Sequence, residues 1–305
     1  MIGPIAIIGA PSGVGIRPYD NGDIRRLDLA PGVLREQRLS ARLAAHDLGD
    51  VMPPLRYQDA VKPEGRMRNE DDVTAYSRKL AQRVADASSR GNFVLLLGGD
   101  CSILLGALLG LRTAHHAPVG LAYIDAHSDF ATLAESKSGS ACSMNLALAV
   151  GHAHGGPLAS LGGDEPLVRA SSVAHIGARD ATEPYGYDAL AASEILNLPN
   201  AVLAANGPAH AALQALERVS QPSGGFWIAT DVDVLDPKLM PAVDTPQPGG
   251  VTFAELADLL TPLVHHPRAL GLQLTIYDPT LDPDQSGAAR LGDLLEAVFV
   301  RTVNS

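Results

Sequence analysis

The sequence predicts an α/β protein, a single domain in three layers, α/β/α, with a mostly parallel sheet. Three observations carry that prediction. Phe93 to Leu97, Leu121 to Ile124 and Phe226 to Ala229 are short runs that are apolar throughout, which suits strands buried on both faces. Between them lie segments whose apolar residues recur every three or four positions, as do Val73, Tyr76, Leu80, Val84 and Ala87. Many of the 30 Gly and 22 Pro punctuate the gaps, and no composition shift marks a boundary, so residues 1–305 read as one domain. Strands alternating with helices call for a parallel sheet covered by helices.

Taken in order, Ile5 to Ile8 reads as a buried first strand, followed by a loop with glycines at Gly9, Gly13 and Gly15. A dinucleotide fingerprint needs its glycines to lead straight into a helix, and the Ile-Arg-Pro-Tyr that follows excludes it. Ala30-Pro31 opens a helix to about Leu43, with Pro where its missing N–H costs little. Asn69 to Arg90 is an amphipathic helix leading into the strand Phe93 to Leu97. After the turn Gly98-Gly99-Asp100, Ser102 to Leu111 reads as helix and Leu121 to Ile124 as strand. Residues 135–140 are a polar loop, 144–150 an apolar helix, and 152–165 a loop rich in Gly and His. Val173 to Gly177 is a strand, Ala209 to Val219 a helix, and Phe226 to Ala229 a strand. Residues 237–250 are Pro- and Gly-rich, and Thr252-Phe253-Ala254-Glu255 matches a capping box opening a helix to about Leu263. A last strand, Leu270 to Ile276, and a helix, Leu291 to Val300, close the chain.

Composition narrows the partners. The 34 acidic against 23 basic residues give a formal charge of −11, which disfavours nucleic acid and anionic membrane as partners and leaves a small molecule. The first residues lack a signal-peptide pattern, and no apolar run approaches the roughly 20 residues of a membrane span, so a cytoplasmic protein is expected. Two cysteines in a chain this long are no disulfide framework.

Chemistry concentrates in three stretches, each following an apolar run: Gly98-Gly99-Asp100-Cys101-Ser102, Asp125-Ala126-His127-Ser128-Asp129, and Asp231-Val232-Asp233-Val234-Leu235-Asp236-Pro237. In an extended backbone Asp125, His127 and Asp129 share a face and could converge at a strand end. In parallel sheets, sites form at the carboxyl ends of strands. Convergence there gathers a thiol, an imidazole and four carboxylates. Such carboxylates repel or stay protonated unless cations neutralise them, and two divalent ions would do so while making hydroxide available at neutral pH. Each motif alone is common in ordinary turns; three at successive strand ends are not.

With those motifs the chain resembles the ureohydrolase family, the arginase and agmatinase group, whose patterns are Gly-Gly-Asp-His-Ser, Asp-Ala-His-x-Asp and Asp-x-Asp-x-x-Asp-Pro. The likeness runs from Gly9-Ala-Pro through Ala30-Pro-Gly-Val-Leu-Arg to Asp244-Thr-Pro-x-Pro-Gly-Gly and Pro279. It implies an arginase-like fold and hydrolysis of a C–N bond in a guanidine or amidine. It also implies two divalent ions, Mn first, with Asp125 and Asp231 bridging them. Cys101 and Asp129 would complete one ion's ligands, and His127 and Asp233 the other's. Asp129 would orient the attacking water and pass its proton to the leaving amine, and Asp236 would support the loop at Pro237. Ser138, Ser140 and Thr245 are expected at the substrate, and homo-oligomers are common in the family.

The chain departs from the family where the substrate should sit. Cys101 stands where the family has its first metal-ligand His, and its softer sulfur also admits Zn, Fe, Co or Ni. Cys142 stands in place of a proton-shuttling His, Ala131 in place of the Asn that holds arginine's amino-acid end, and Ile276 in place of the Glu that grips the guanidinium. Glu135, Glu183 and Asp278 are the acids nearest in sequence that could substitute. These losses point to an agmatinase-like or hydroxyarginine-type hydrolase rather than a plain arginase. The alternative is a metal-binding relative with lost catalysis, or with catalysis switched by a Cys101–Cys142 disulfide. His115, His116, His152, His154, His265 and His266 match no ligand position and are expected at the surface or in loops.

Overall fold

A computed structural model describes residues 2–54, 61–183 and 185–300. Eight strands form one sheet: β1 (Ile5–Ala10), β2 (His46–Asp50), β3 (Phe93–Gly98), β4 (Gly120–Ile124), β5 (Val173–Ile176), β6 (Leu196–Leu198), β7 (Phe226–Asp231) and β8 (Ala269–Thr275). Their spatial order is β2-β1-β3-β8-β7-β4-β5-β6, and every pairing is parallel. The expected mostly parallel sheet is therefore wholly parallel. β3, β8, β7 and β4 occupy the centre, and the three chemical stretches leave the ends of β3, β4 and β7.

Alternation along each strand builds two cores. In β3, Phe93, Leu95 and Leu97 face a core shared with helices Pro208–Val219, Phe253–Val264 and Ser286–Val300. Val94 and Leu96 face the opposite core, shared with Glu70–Ser88 and Ile103–His115. All six β3 residues are buried, and the strand reads as continuously apolar because both faces are covered. The capping box at Thr252 is present, its hydroxyl accepting from Glu255 N at 3.2 Å while Glu255 Oε2 accepts from Thr252 N at 2.7 Å.

Several boundaries differ from the sequence reading for local reasons. The helix from Ala30 breaks into Ala30–Glu36 and Leu39–Arg42 because Arg38 adopts a left-handed φ of 60°. The edge strands β2 and β6 were not anticipated. β2 is His-Asp-Leu-Gly-Asp, exposed at every position, and β6 has three residues, so neither carries an apolar run. The segment 152–165 contains a short helix, Gly156–Ala159, and the last helix starts at Ser286 rather than Leu291. Helices Tyr187–Ala192 and Asn200–Asn206 also went unread. No helix among the described residues is long and apolar enough to cross a membrane.

Candidate metal centre and substrate pocket

The carboxyl ends of β3, β4, β7 and β8 meet because their registers align. Ile124 pairs with Thr230, Asp231 with Thr275, and Leu97 with Leu274. At the end of β3 the turn needs glycine, since a Cβ on Gly99 would strike the carbonyl oxygens of Ala10 and Ser12. Asp100 is spent on that turn: its carboxylate accepts from Ser12 Oγ at 2.9 Å, Gly15 N at 3.1 Å and Ser102 N at 3.0 Å. Cys101 is thereby turned inward and is 2% exposed.

The stretch after β4 does not continue as an extended ribbon. The strand ends at Ile124, the chain bends at 126–127, and Asp129 adopts a left-handed φ of 46°. The three side chains consequently do not meet at one point. Asp125 and His127 join Asp233, while Asp129 joins Cys101 and Asp231, and within each trio the ligand atoms lie within 4.8 Å of one another. All six residues are buried.

His127 Nδ1 lies 3.0 Å from Asp233 Oδ2 and 3.5 Å from Asp125 Oδ1, and its backbone N–H donates to Asp125 Oδ1 at 2.7 Å. Its Nε2 and Asp125 Oδ2 are buried without a hydrogen-bond partner. Orphaned buried groups of this kind are costly unless something else satisfies them. Burial, followed by the Asp233 charge, raises Asp125 to about 6. Burial and the neighbouring Asp125 charge raise Asp129 and Asp231 well above the usual carboxylate range. Burial disfavours a charged His127 ring, but Asp233 and Asp125 outweigh it and raise its pKa. Protons take the place of cations in such a cluster, so the donor set fits two divalent ions.

Surrounding groups aim the ligands. Thr275 Oγ1 donates to Asp231 Oδ1, and Tyr123 OH donates to Asp129 Oδ2 at 2.8 Å. Asp180 holds the backbone and hydroxyl of Ser128, both at 2.7 Å. Arg179 holds the Asp233 carbonyl at 2.6 Å. Thr275→Val removes a donor that favours the ionised ligand, and the expected result is a roughly 10-fold or greater loss of Mn²⁺ affinity in a chelator competition with the fold unchanged. Unchanged affinity would show that Asp231 needs no such support.

A cavity of about 60 Å³ opens over the two trios. Ser138, Ser140, Cys142 and Thr245 border it with Cys101, His127, Asp129, Asp231 and Asp233. Ser140 Oγ is buried there without a partner. The thiols of Cys101 and Cys142 are both free, Cys101 Sγ lying 3.8 Å from Asp129 Oδ2 and Cys142 Sγ 3.5 Å from Asp100 Oδ1, and burial raises both pKa values. A groove of about 380 Å³, lined by Arg68, Lys137 and Glu183, shares Arg17, Ser138, Ser143 and Tyr185 with the cavity.

Asp236 accepts from Lys238 N at 2.9 Å and caps its own turn. Of the three acids weighed as substitutes, Glu135 is tied to Thr132 and Asp278 to Tyr19, Arg26 and Thr280. Glu183 lies only on the outer groove. His152 stacks on Phe130 at 4.6 Å, His115 bonds Ser88, and His265 bonds the Val298 carbonyl. Sequence reasoning missed Arg25, Asp244 and Tyr185, which line the cavity. Asp244 was within a quoted motif, whereas Arg25 and Tyr185 lie in irregular segments with no period to flag them.

Comparison with known proteins agrees with this geometry. A family model described as the arginase family matches residues 4–299. An arginase of Brevibacillus brevis is 31% identical over 307 residues, 97% of each chain. The solved arginase of Bacillus caldovelox superposes with a TM-score of 0.86 at 27% identity, covering 99% of this chain and 100% of that one. The agmatine ureohydrolase of Thermoplasma volcanium, at 20% identity and a TM-score of 0.70 over 97% of this chain and 89% of that one, shares the fold.

Proposed function

This chain belongs to the arginase family, and we propose that within it the protein is a binuclear metal-dependent hydrolase cleaving a C–N bond of a modified guanidine or amidine. The observation that carries the reading is the pair of buried ligand trios beneath one cavity. Cys101, Asp129 and Asp231 would hold one ion, and Asp125, His127 and Asp233 the other. Ions bound there, Mn or a softer Zn, Fe, Co or Ni, would make hydroxide available at neutral pH and act as Lewis acids toward the substrate. Asp129, oriented by Tyr123, is the group placed to hold a proton and deliver it to the leaving amine.

The finer reading is a substrate of the hydroxyarginine or agmatine kind rather than arginine itself. Its support is the wall, where Cys142 and Ile276 line the cavity in place of the His and Glu that the family resemblance implies for an arginine site. The outer groove carries charged groups of both signs, Lys137 and Arg68 with Glu183 and an Arg17 that pairs with Asp20, which suits a zwitterionic end and so favours the amino-acid member of the pair. Ser138, shared by the cavity and the groove, and Ser140, on the cavity wall, would bond the substrate's body.

Urea release from guanidino and hydroxyguanidino compounds, measured with Mn, Zn, Co, Ni and Fe, tests the reading. Turnover of a modified guanidine above arginine is the expected result. Tight binding of metal without turnover of any compound would instead support a second reading, a metal protein with lost or redox-controlled catalysis. Cys101 and Cys142 line the same cavity, which favours the redox form of that alternative, because a disulfide would take Cys101 out of its trio.

A further inference from the structure

We propose that Asp244, held in place by Arg25, is the carboxylate that receives the N–H groups of the substrate's guanidino or amidino head. The inference deepens the proposed function and rests on it.

A guanidino head is a planar fork of N–H donors that matches a carboxylate. Four acids line the cavity among the described residues: Asp129, Asp231, Asp233 and Asp244. The first three belong to the ligand trios. Only Asp244 stands on the wall outside those trios, its charge paired with Arg25. Its two side-chain hydrogen bonds both end on Oδ2, from Arg25 Nη1 at 2.5 Å and from Thr245 Oγ1 at 3.0 Å. A carboxylate offers about four acceptor positions, so Oδ1 remains for a substrate N–H.

The backbone register explains how the acid reaches this position. Val243 bridges antiparallel to Tyr277, which brings the following residue, Asp244, to the cavity that Ile276 also lines. Ile276 offers no acceptor, so of these two wall residues only Asp244 can take a donor.

Arg25 is built to hold the acid rather than to bind a ligand of its own. It is 3% exposed, donates from Nε to the Arg17 carbonyl at 2.9 Å, and lies 4.3 Å over the Tyr19 ring. A guanidinium fixed at three points holds Asp244 in one rotamer. Its charge also opposes the burial that would otherwise protonate the carboxyl. Because Arg25 already offsets much of the negative charge, Asp244 selects for N–H geometry more than for net charge.

The test uses Mn-loaded parent protein and Asp244→Asn. Calorimetry follows L-arginine, agmatine and, as a headless control, L-norvaline, and metal analysis follows Mn content. The variant should weaken arginine and agmatine by about 10-fold or more, as expected for a lost hydrogen bond to a charged group, with norvaline binding and Mn content unchanged. Unchanged guanidino binding overturns the assignment. Equal weakening of all three ligands also overturns it, since that marks a wall that has merely shifted. If the parent binds neither arginine nor agmatine nor a hydroxyguanidino compound such as hydroxyarginine, the proposed function fails and takes this inference with it. Should Asp244→Asn not fold because Arg25 is left buried and unpaired, Arg25→Gln/Asp244→Asn removes both charges and is read by the same three ligands.

Discussion

Metal-free protein is expected to melt at a lower temperature at about pH 8.5 than at about pH 6.5, and saturating Mn²⁺ is expected to abolish or reverse the difference. Burial first, then mutual repulsion, raises Asp129 and Asp231 well above the carboxylate range, and His127 is raised by Asp233 and Asp125. A folded pKa raised above the unfolded value means that the native state holds protons the unfolded chain has released. Stability is then present at low pH and lost as pH rises through the folded values. Burial of Cys101 and Cys142 adds the same sign at higher pH. His175, pushed down to about 4 by burial, acts in the opposite direction, but only below about pH 6.5, where its unfolded ring protonates. Each group still titrating costs about 1.4 kcal/mol per pH unit, so a fall in melting temperature of about 5 °C is expected in chelator. Ions replace those protons, and Mn²⁺ at a hundred times its dissociation constant returns about 2.7 kcal/mol per site. Calorimetry in two buffers of different ionisation enthalpy should also show protons released as Mn²⁺ binds. A flat melting profile in chelator, with no proton release, would mean that these carboxylates are not a cation-dependent cluster.

The sheet was legible in the sequence because its central strands are buried on both faces and therefore apolar throughout. That same rule hid β2 and β6, which lie at the edges and have no such run. Asp125, His127 and Asp129 were legible as donors but not in their partition, which depends on the bend at 126–127 and on the left-handed Asp129. Those are properties of the loop's packing and leave no period behind. Asp244 was harder still. Its proximity to Ile276 comes from one antiparallel bridge between segments more than thirty residues apart, and a pairing of that kind has no local trace. Glu135, Glu183 and Asp278, the substitute acids that the sequence suggests, are instead accounted for by two turns and an outer groove.

Cys101→His is expected to raise both Mn content and hydrolytic rate. As a thiolate, Cys101 would add a third negative charge to Asp129 and Asp231, while the other trio has a neutral imidazole beside two carboxylates. More negative charge weakens an ion's pull on electrons and raises the pKa of water it binds, and sulfur suits Mn less well than nitrogen does. The thiol also has to lose its proton against burial and three neighbouring groups, Cys142, Asp231 and Asp129, all of which raise its pKa. An imidazole needs only to be neutral. It has somewhere to go, since Cys101 borders the cavity and a longer side chain can project into it instead of into the core. Metal analysis should move toward two Mn per chain, and the rate of urea release should rise by about 10-fold, in the range that ligand-sphere changes produce. Cys101→Ser, which keeps the size but is a weak ligand, should move both readouts the other way. Parent protein already holding two Mn per chain would remove the premise, and a variant that gained Mn without gaining rate would place the kinetic limit at the substrate wall rather than at the thiol.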